Sequence, residues 1–153
     1  MAKETNKSGN SQRVRDIMTP SPFTVSEKNT IRDVARIMAE HDTGVVPVVD
    51  GKKILGLITD RDIVVRLVAE GRDPGSANVR EAMTDSIKSV KEDQSVDEVM
   101  ELMSNAQVRR VPVVDKNDDL VGIVSFRDVA TETKKSNRIG KAIEEISGGA
   151  PNN

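Results

Sequence analysis

The sequence contains no cysteine, no tryptophan and no tyrosine, and it has only two phenylalanines. Without cysteine, the chain can form no disulfide, no thiolate metal site and no cysteine nucleophile. With so few aromatic rings, it offers no platform on which single-stranded bases could stack. Any flat ligand would therefore be held between aliphatic side chains.

Long apolar runs are also missing. No stretch approaches the roughly 20 apolar residues that span a bilayer, and the polar N-terminus does not have the apolar core of a signal peptide. Charged residues make up 31% of the chain, and both signs are mixed to a net charge of -2, which is typical of a solvated surface rather than of a nucleic-acid footprint. These features predict a cytoplasmic protein that binds neither membranes nor nucleic acid.

Motifs for catalysis and metal binding are equally sparse. The chain has no Gly-x-x-x-x-Gly-Lys-(Ser/Thr) phosphate loop, and His41 is its only histidine and thus the only candidate base for a Ser/His/Asp nucleophile. His41 ends the first predicted helix, where a cation suits the helix dipole. The Asp115-x-Asn117-x-Asp119 phrase imitates a calcium loop, but Phe126 replaces its bidentate glutamate. We therefore predict no enzyme activity, no catalytic residue and no metal site.

What the sequence does contain is an internal repeat. Three phrases occur twice in the same order: Val14-Arg-Asp-Ile-Met-Thr19 and Val79-Arg-Glu-Ala-Met-Thr84, Val46-Pro-Val-Val-Asp50 and Val111-Pro-Val-Val-Asp115, and Gly56-Leu-Ile-Thr-Asp-Arg-Asp62 and Gly122-Ile-Val-Ser-Phe-Arg-Asp128. Two copies are too few for a solenoid, which needs about three or more stacked units. We therefore expect a tandem pair whose halves pack about a pseudo-twofold axis.

Each copy has the pattern of a β-α-β-β-α unit, which makes the fold class α/β (α+β). In the first copy, Phe23-Thr-Val25 predicts a short strand, and Thr30 opens a helix with a capping box, which Ser95 and Glu98 repeat in the second copy. Asp50-Gly51 predicts a hairpin turn between two apolar strands. A second helix is expected from Ile63 to Glu70, and its counterpart in the second copy from Val129 to about Lys134.

The repeat divides the chain into four segments: a disordered tail at 1–12, the first repeat at 13–73, the second repeat at 74–134, and a C-terminal segment at 135–153 with a short docking helix at Ile139–Ile146. The first helix of each copy has an apolar stripe, comprising Ile31, Val34 and Met38, and Val96, Val99 and Met103. We expect the pair not to cover these stripes fully by itself. This predicts a homodimer.

Taken together, these phrases resemble the cystathionine-β-synthase (CBS) domain, and the pair resembles the two-domain Bateman module. The resemblance covers residues 13–133 and is carried by Met18-Thr-Pro20, Met83-Thr84, the two Val-Pro-Val-Val-Asp blocks and the two Gly-x-x-(Thr/Ser)-x-x-Asp blocks. It implies a cytoplasmic regulatory module, often dimeric, that needs no cofactor. Such modules bind AMP, ADP, ATP, S-adenosylmethionine or another adenosine-containing ligand in the cleft between the halves, and the regulated partner is unknown.

The resemblance also implies roles for individual residues. Asp62 and Asp128 would hold ribose hydroxyls, and Thr59 and Ser125 would approach the phosphate or sugar. Thr24 and Ser89 would meet adenine through their backbone. Arg109 and Arg110 stand where many family members place basic residues that face phosphates, whereas the first copy has Gly44 and Val45 there. Because adjacent strand residues point to opposite faces, we expect only one arginine to reach the ligand.

Three alternatives remain open. The spacing of Thr59 and Asp62, and of Ser125 and Asp128, is also that of a helix capping box, and the two roles are compatible. The chain could be a scaffold with a vestigial cleft that acts by dimerising or by docking through residues 135–147. A nucleotide hydrolase is disfavoured because the phosphate loop is missing and the candidate bases are almost all carboxylates.

Overall fold

The computed structural model describes the backbone of residues 12–134 and the side chains of residues 12–132. The expected tail up to residue 11 and the expected helix at Ile139–Ile146 lie outside the described residues. The elements follow the β-α-β-β-α order, and the predicted α/β class is confirmed: α1 Val14–Ile17, β1 Thr19–Pro20, α2 Ile31–His41, β2 Val45–Asp50, β3 Lys53–Thr59, α3 Asp60–Ile63, a π-helix Val64–Val68, a 3-10 turn Val79–Glu81, β4 Val90–Lys91, α4 Val96–Ala106, β5 Arg110–Val114, β6 Leu120–Ser125 and α5 Phe126–Lys134.

Residues 21–88 form one compact unit. Its sheet is the antiparallel hairpin of β2 and β3, and Gly51 in the turn has the positive φ of 64° that a tight hairpin requires. Thr30 caps α2 in the expected capping box with Asp33. The core lies between the hairpin and the helices and is formed by aliphatic side chains such as Val34, Val46, Val48, Ile58 and Leu67.

The second compact unit joins residues 12–20 with residues 89–134. Its sheet has the order β1-β6-β5-β4, in which β1 pairs antiparallel with β6 and β4 pairs parallel with β5. Ser95 caps α4 in a capping box with Glu98, as the repeat predicts. Val96, Val99, Met103, Val111 and Val124 are fully buried in its core.

Each compact unit contains the first residues of the other sequence repeat, which we call its entrance segment: residues 14–20 for the first repeat and residues 79–84 for the second. Thr19 of the first repeat pairs with Ile123, and Thr84 of the second repeat bridges to Leu57. These contacts explain the two repeated glycines. A Cβ on Gly56 would lie 2.7 Å from the Thr84 carbonyl oxygen, and one on Gly122 would lie 2.9 Å from that of Thr19. Only glycine lets the backbones approach so closely.

The second helix of each copy begins earlier than predicted. The expected starts at Ile63 and Val129 are wrong, because α3 begins at Asp60 and α5 at Phe126. The reason is the capping box: the N-cap is the last strand residue itself, so the helix follows without a loop. The first copy then widens into the π-helix Val64–Val68, and Gly71 follows it with a positive φ of 68°.

Two further expectations need correction. The strand expected at Phe23-Thr-Val25 is reduced to a single parallel bridge between Val25 and Val48. The helix stripes expected to need a partner are largely buried within their own units, because Ile31, Val34, Val96, Val99 and Met103 are all fully covered. The apolar side chains that remain in solvent are others: Phe23 (52% exposed), Val64 (56%), Val65 (47%) and Val68 (63%).

No helix among the described residues combines the length and the hydropathy that a membrane span requires. α2 and α4 have 11 residues each.

Candidate functional site

The first corner, defined as Gly44, Val45 and residues 59–62, lies where β2 begins and β3 passes into α3. Thr59 ends β3 and is the N-cap of α3, and its hydroxyl accepts a hydrogen bond from the Asp62 backbone N–H at 3.1 Å. In return, Asp62 Oδ2 accepts the Thr59 N–H at 2.8 Å. The other carboxylate oxygen, Oδ1, has no hydrogen-bond partner among the described residues.

The second corner, defined as Arg109, Arg110 and residues 125–128, repeats this geometry in the other unit. Asp128 Oδ2 accepts the Ser125 N–H at 2.8 Å, and Ser125 Oγ accepts the Asp128 N–H at 3.1 Å. Asp128 Oδ1 is again without a partner in the part of the chain that the structure describes. Both aspartates therefore cap a helix with one oxygen and keep the other available.

The two arginines of the second corner lie in different surroundings. Arg110 is directly opposite Ser125 in the β5–β6 register, and such cross-strand partners share one face of the sheet. Arg109 is exposed, and its guanidinium carbon lies 5.5 Å from the centre of the Phe126 ring, within cation–π distance. No carboxylate of residues 12–132 forms a salt bridge with either arginine. Of the two, Arg110 is the one on the face of Ser125.

Thr24 and Ser89 are both exposed and precede the short parallel pairings of their units. Val25 donates its N–H to the Pro47 carbonyl at 3.0 Å, and Val90 pairs with Val113. Because parallel chains run in the same direction, Thr24 and Ser89 lie toward the starts of β2 and β5, respectively. Each therefore lies at the same edge of its sheet as the corner of its own unit.

Sequence reasoning missed two contacts near these corners. Phe126, which supports Arg109, has no equivalent in the first copy, so the repeat gives no signal for it. Arg66 of the π-helix donates from Nη1 to the carbonyl oxygens of Ala82 at 3.1 Å and Met83 at 2.9 Å, which holds the entrance segment against the hairpin. Its counterpart in the repeat is Glu132, so again only the structure identifies it.

The remaining candidates are structural in their observed surroundings. His41 ends α2 and stacks on Phe23, with ring centres 3.6 Å apart. Asp115 Oδ1 accepts the backbone N–H groups of Asn117 at 2.8 Å and Asp119 at 3.0 Å, which is a turn-capping arrangement. Within the described ranges, no three His, Cys, Asp or Glu side chains are grouped to hold a metal ion.

A separate groove of about 600 Å³ lies at the far end of β5 from the second corner. Its wall includes the side chains of Arg15, Lys91, Glu92, Asp93, Asp115 and Lys116. Because three of them are cationic and three are anionic, the groove has no net charge with which to select a charged ligand. None of the candidate ligand residues lies in this groove.

Comparison with known proteins agrees with the repeat. The family model of the CBS domain matches residues 14–69 and again residues 79–134. The CBS domain-containing protein YhcV of Bacillus subtilis is 40% identical over 134 residues, which cover 88% of this chain and 94% of that protein.

Two solved structures have the same fold. Hypoxic Response Protein I, with two coordinated zinc ions, has a TM-score of 0.71 and 39% identity over 78% of this chain and 98% of its own. The CBS domain pair of protein MJ0100, in complex with 5′-methylthioadenosine and S-adenosyl-L-methionine, has a TM-score of 0.73 and 31% identity over 81% of this chain and 97% of its own. With two matched repeats and relatives of this identity, the chain belongs to the CBS domain family and carries two CBS domains in tandem.

Proposed function

We propose that this protein is a non-catalytic regulatory module that binds an adenosine-containing ligand, such as AMP, ADP, ATP, S-adenosylmethionine or a related nucleotide. The observation that carries the proposal is the duplicated aspartate. Asp62 and Asp128 are partly buried, fixed in position by an identical capping box, and each keeps one carboxylate oxygen without a partner among the described residues. A family relative that binds two adenosine compounds supports it.

The chemistry of ribose fits this arrangement. A carboxylate is an acceptor only, and it can take hydrogen bonds from both hydroxyls of a cis-diol. One oxygen already accepts the backbone N–H of Thr59 or Ser125, and this hydrogen bond favours a single orientation of the side chain. Such a preordered acceptor avoids part of the entropy cost of binding.

Other groups at each corner would complete recognition. Thr24 and Ser89 lie at the same sheet edge as the corner of their own unit and would meet adenine through their backbone. Thr59 and Ser125 would approach the sugar or phosphate. In the second corner, the Arg127 backbone N–H at the N-terminus of the nine-residue α5 and the planar guanidinium of Arg110 would donate to an anion.

A thermal-shift screen tests the proposal. A ligand at 100 times its dissociation constant should stabilise the protein by about 2.7 kcal/mol. We expect adenosine compounds to raise the melting temperature and the matching guanosine and cytidine compounds to have much smaller effects. No response to any adenosine compound would favour the scaffold with a vestigial cleft. Release of phosphate from ATP under turnover conditions would instead favour a hydrolase.

We also propose that the protein forms a homodimer, although not through the helix stripes that the sequence suggested. The three exposed valines of the π-helix, Val64, Val65 and Val68, form the apolar surface with which a second copy would pack. Light scattering at micromolar concentration should give about twice the mass of the 16.7 kDa chain.

Cytoplasmic location and the absence of a required cofactor stay predictions.

The valine surface can be tested by one substitution and its counterpart. Val65→Asp places a charge in the surface and should shift the protein toward the monomer. Thr131, which is also exposed and stands at the corresponding position of the second repeat, provides the control as Thr131→Asp. A monomeric parent, or a dimer that survives Val65→Asp, would contradict this assembly.

A further inference from the structure

The two corners have the same backbone and different chemistry. In the first corner, Asp60 donates its N–H to the Gly44 carbonyl at 3.0 Å, and Val45 lies opposite Thr59. In the second, Phe126 donates its N–H to the Arg109 carbonyl at 2.7 Å, and Arg110 lies opposite Ser125. The positions therefore correspond one to one, so the differences in side chains can be read directly.

The side-chain differences between the two corners reverse the sign of the net charge. Glycine, valine and aspartate in the first corner stand where the second has two arginines and a phenylalanine. The first corner therefore carries two carboxylates, on Asp60 and Asp62, and a single guanidinium, on Arg61. The second carries three guanidiniums, on Arg109, Arg110 and Arg127, and the carboxylate of Asp128.

The helices strengthen this difference. The second corner lies at the N-terminus of α5, a regular helix of nine residues whose dipole favours an anion, and the Arg127 N–H in its first turn has no acceptor among the described residues. In the first corner, α3 has only four residues before the chain changes to a π-helix. The first corner therefore lacks both an arginine on the face of Thr59 and the N-terminus of a long regular helix.

From these charges we infer that the first corner takes an adenosine compound whose 5′ substituent is uncharged or positive, and that the second corner takes the 5′-phosphorylated nucleotide. A phosphate next to Asp62 would be repelled by two carboxylates, and no arginine of β2 would compensate. A thioether suffers no such repulsion, and a sulfonium is attracted. The protein would thus respond to two classes of adenosine compound at once.

This inference rests on the proposed binding of adenosine compounds, and the test separates the two. Calorimetry on the full chain uses AMP, 5′-methylthioadenosine and S-adenosylmethionine as probes. Asp128→Asn weakens the second corner, and Asp62→Asn weakens the first, because each replaces the ribose-facing carboxylate. In Asp128→Asn, 5′-methylthioadenosine should bind at least about tenfold more tightly than AMP. In Asp62→Asn, the order should be reversed by a similar factor.

An arginine introduced at position 45 provides the sharper measurement, because Val45 occupies the position in the first corner that Arg110 occupies in the second. In the native chain, saturating AMP should leave one site per chain open to 5′-methylthioadenosine. Val45→Arg should raise the affinity of that site for AMP relative to 5′-methylthioadenosine at least about tenfold, so that AMP fills both sites. Val45→Gln, which is polar and uncharged, is the matched control and should leave the ratio of affinities close to that of the native chain.

The outcomes differ for the two claims. If adenosine compounds bind but AMP and 5′-methylthioadenosine have equal affinities in Asp128→Asn, the proposed function stands and the charge selection is wrong. If Asp128→Asn does not fold by circular dichroism, the Val45→Arg and Val45→Gln pair decides, and an unchanged ratio in both overturns the inference. If no adenosine compound binds the native chain, both the proposed function and the inference fail.

Discussion

The helix after the hairpin is regular in the second copy and irregular in the first. α5 continues from Phe126 to Lys134, whereas α3 ends at Ile63 and is followed by the π-helix Val64–Val68. The irregular helix exposes three valines, and the second copy has Ala130 and Thr131 where the first has Val64 and Val65. The exposed valines are therefore not required by the scaffold that both copies share.

Immediately before these helices, by contrast, the copies agree closely. Both capping boxes have the same two distances, 2.8 and 3.1 Å, and both repeated glycines pack against an entrance segment. The duplication has thus kept what positions the aspartate. It has diverged in the charge beside that aspartate and in the surface presented to solvent, which is where ligand class and assembly would be determined.

The largest expected effect is on ligand affinity, and it tests the aspartates that the two copies share. Asp62→Ala and Asp128→Ala should each reduce the affinity of the affected corner for adenosine by about 1.5 to 3 kcal/mol, because each removes a charged hydrogen-bond partner. Loss of the carboxylate from the first helical turn should cost only about 0.3 to 1 kcal/mol of folding stability. Calorimetry and thermal unfolding measure the two quantities.

Asp33→Ala is the matched control for these variants. Asp33 Oδ2 accepts the Thr30 N–H at 3.0 Å in a capping box of the same type, but it lies at the start of α2 and outside both corners. The Asp33→Ala variant should be less stable than the parent and should keep the parent's affinity for adenosine. Native affinity in Asp62→Ala and Asp128→Ala would reduce the two aspartates to capping residues.

The next effect concerns the repeated glycines. Gly56→Ala and Gly122→Ala should each destabilise the protein by about 1 to 3 kcal/mol, because the new Cβ would overlap a backbone carbonyl oxygen that cannot easily move. Gly75→Ala is the control, since its Cβ would meet nothing closer than 3.4 Å. Urea denaturation compares the three. A cost for Gly75→Ala equal to the other two would show that the close approach is not the cause.

The sequence alone predicts much of this fold because the repeat shows each local signal twice. The capping boxes at Thr30 and Ser95 and the hairpin turn at Gly51 depend on neighbouring residues, and all three are confirmed. The β-α-β-β-α order follows from them. The placement of Thr59 and Asp62 in one corner is equally local, because the two residues stand three positions apart in the sequence and pair within one helical turn.

What the sequence could not predict depends on contacts between distant residues. The π-helix at Val64–Val68 has no Gly or Pro within it to mark it, and Arg66 reaches the entrance segment only after the hairpin has formed. The helix stripes appeared uncovered because their burial depends on the hairpin and entrance segment of the unit. Arg109 and Arg110 could be distinguished only once the register with Ser125 was known.

The distinction between Arg109 and Arg110 can be tested by comparing the affinities of their alanine variants for AMP and adenosine. Arg110→Ala should lower the ratio of AMP to adenosine affinity at the second corner about tenfold, because a guanidinium can bind a phosphate bidentately. Arg109→Ala should change this ratio less, since the Arg109 guanidinium lies over Phe126. Calorimetry with both compounds measures the ratios. Equal ratios in the parent and in Arg110→Ala, or two equivalent AMP sites in the parent, would remove the asymmetry between the copies.

The smallest effect is a pH dependence that belongs to the first copy. The Thr30 backbone N–H and the Asn29 side-chain amide, both 3.0 Å from Asp33 Oδ2, hold the pKa of Asp33 below its ordinary value. A lowered pKa means that the carboxylate stabilises the folded state above the ordinary value near 3.8 and that this contribution is lost as the pH falls through the folded-state pKa. The melting-temperature deficit of Asp33→Asn should therefore be largest near neutral pH and shrink below about pH 4. Ser95→Ala, which removes an uncharged cap in the second copy, should show a deficit that changes much less over the same range. A deficit of Asp33→Asn that stays constant between about pH 7 and pH 3 would show that its charge adds nothing to the cap.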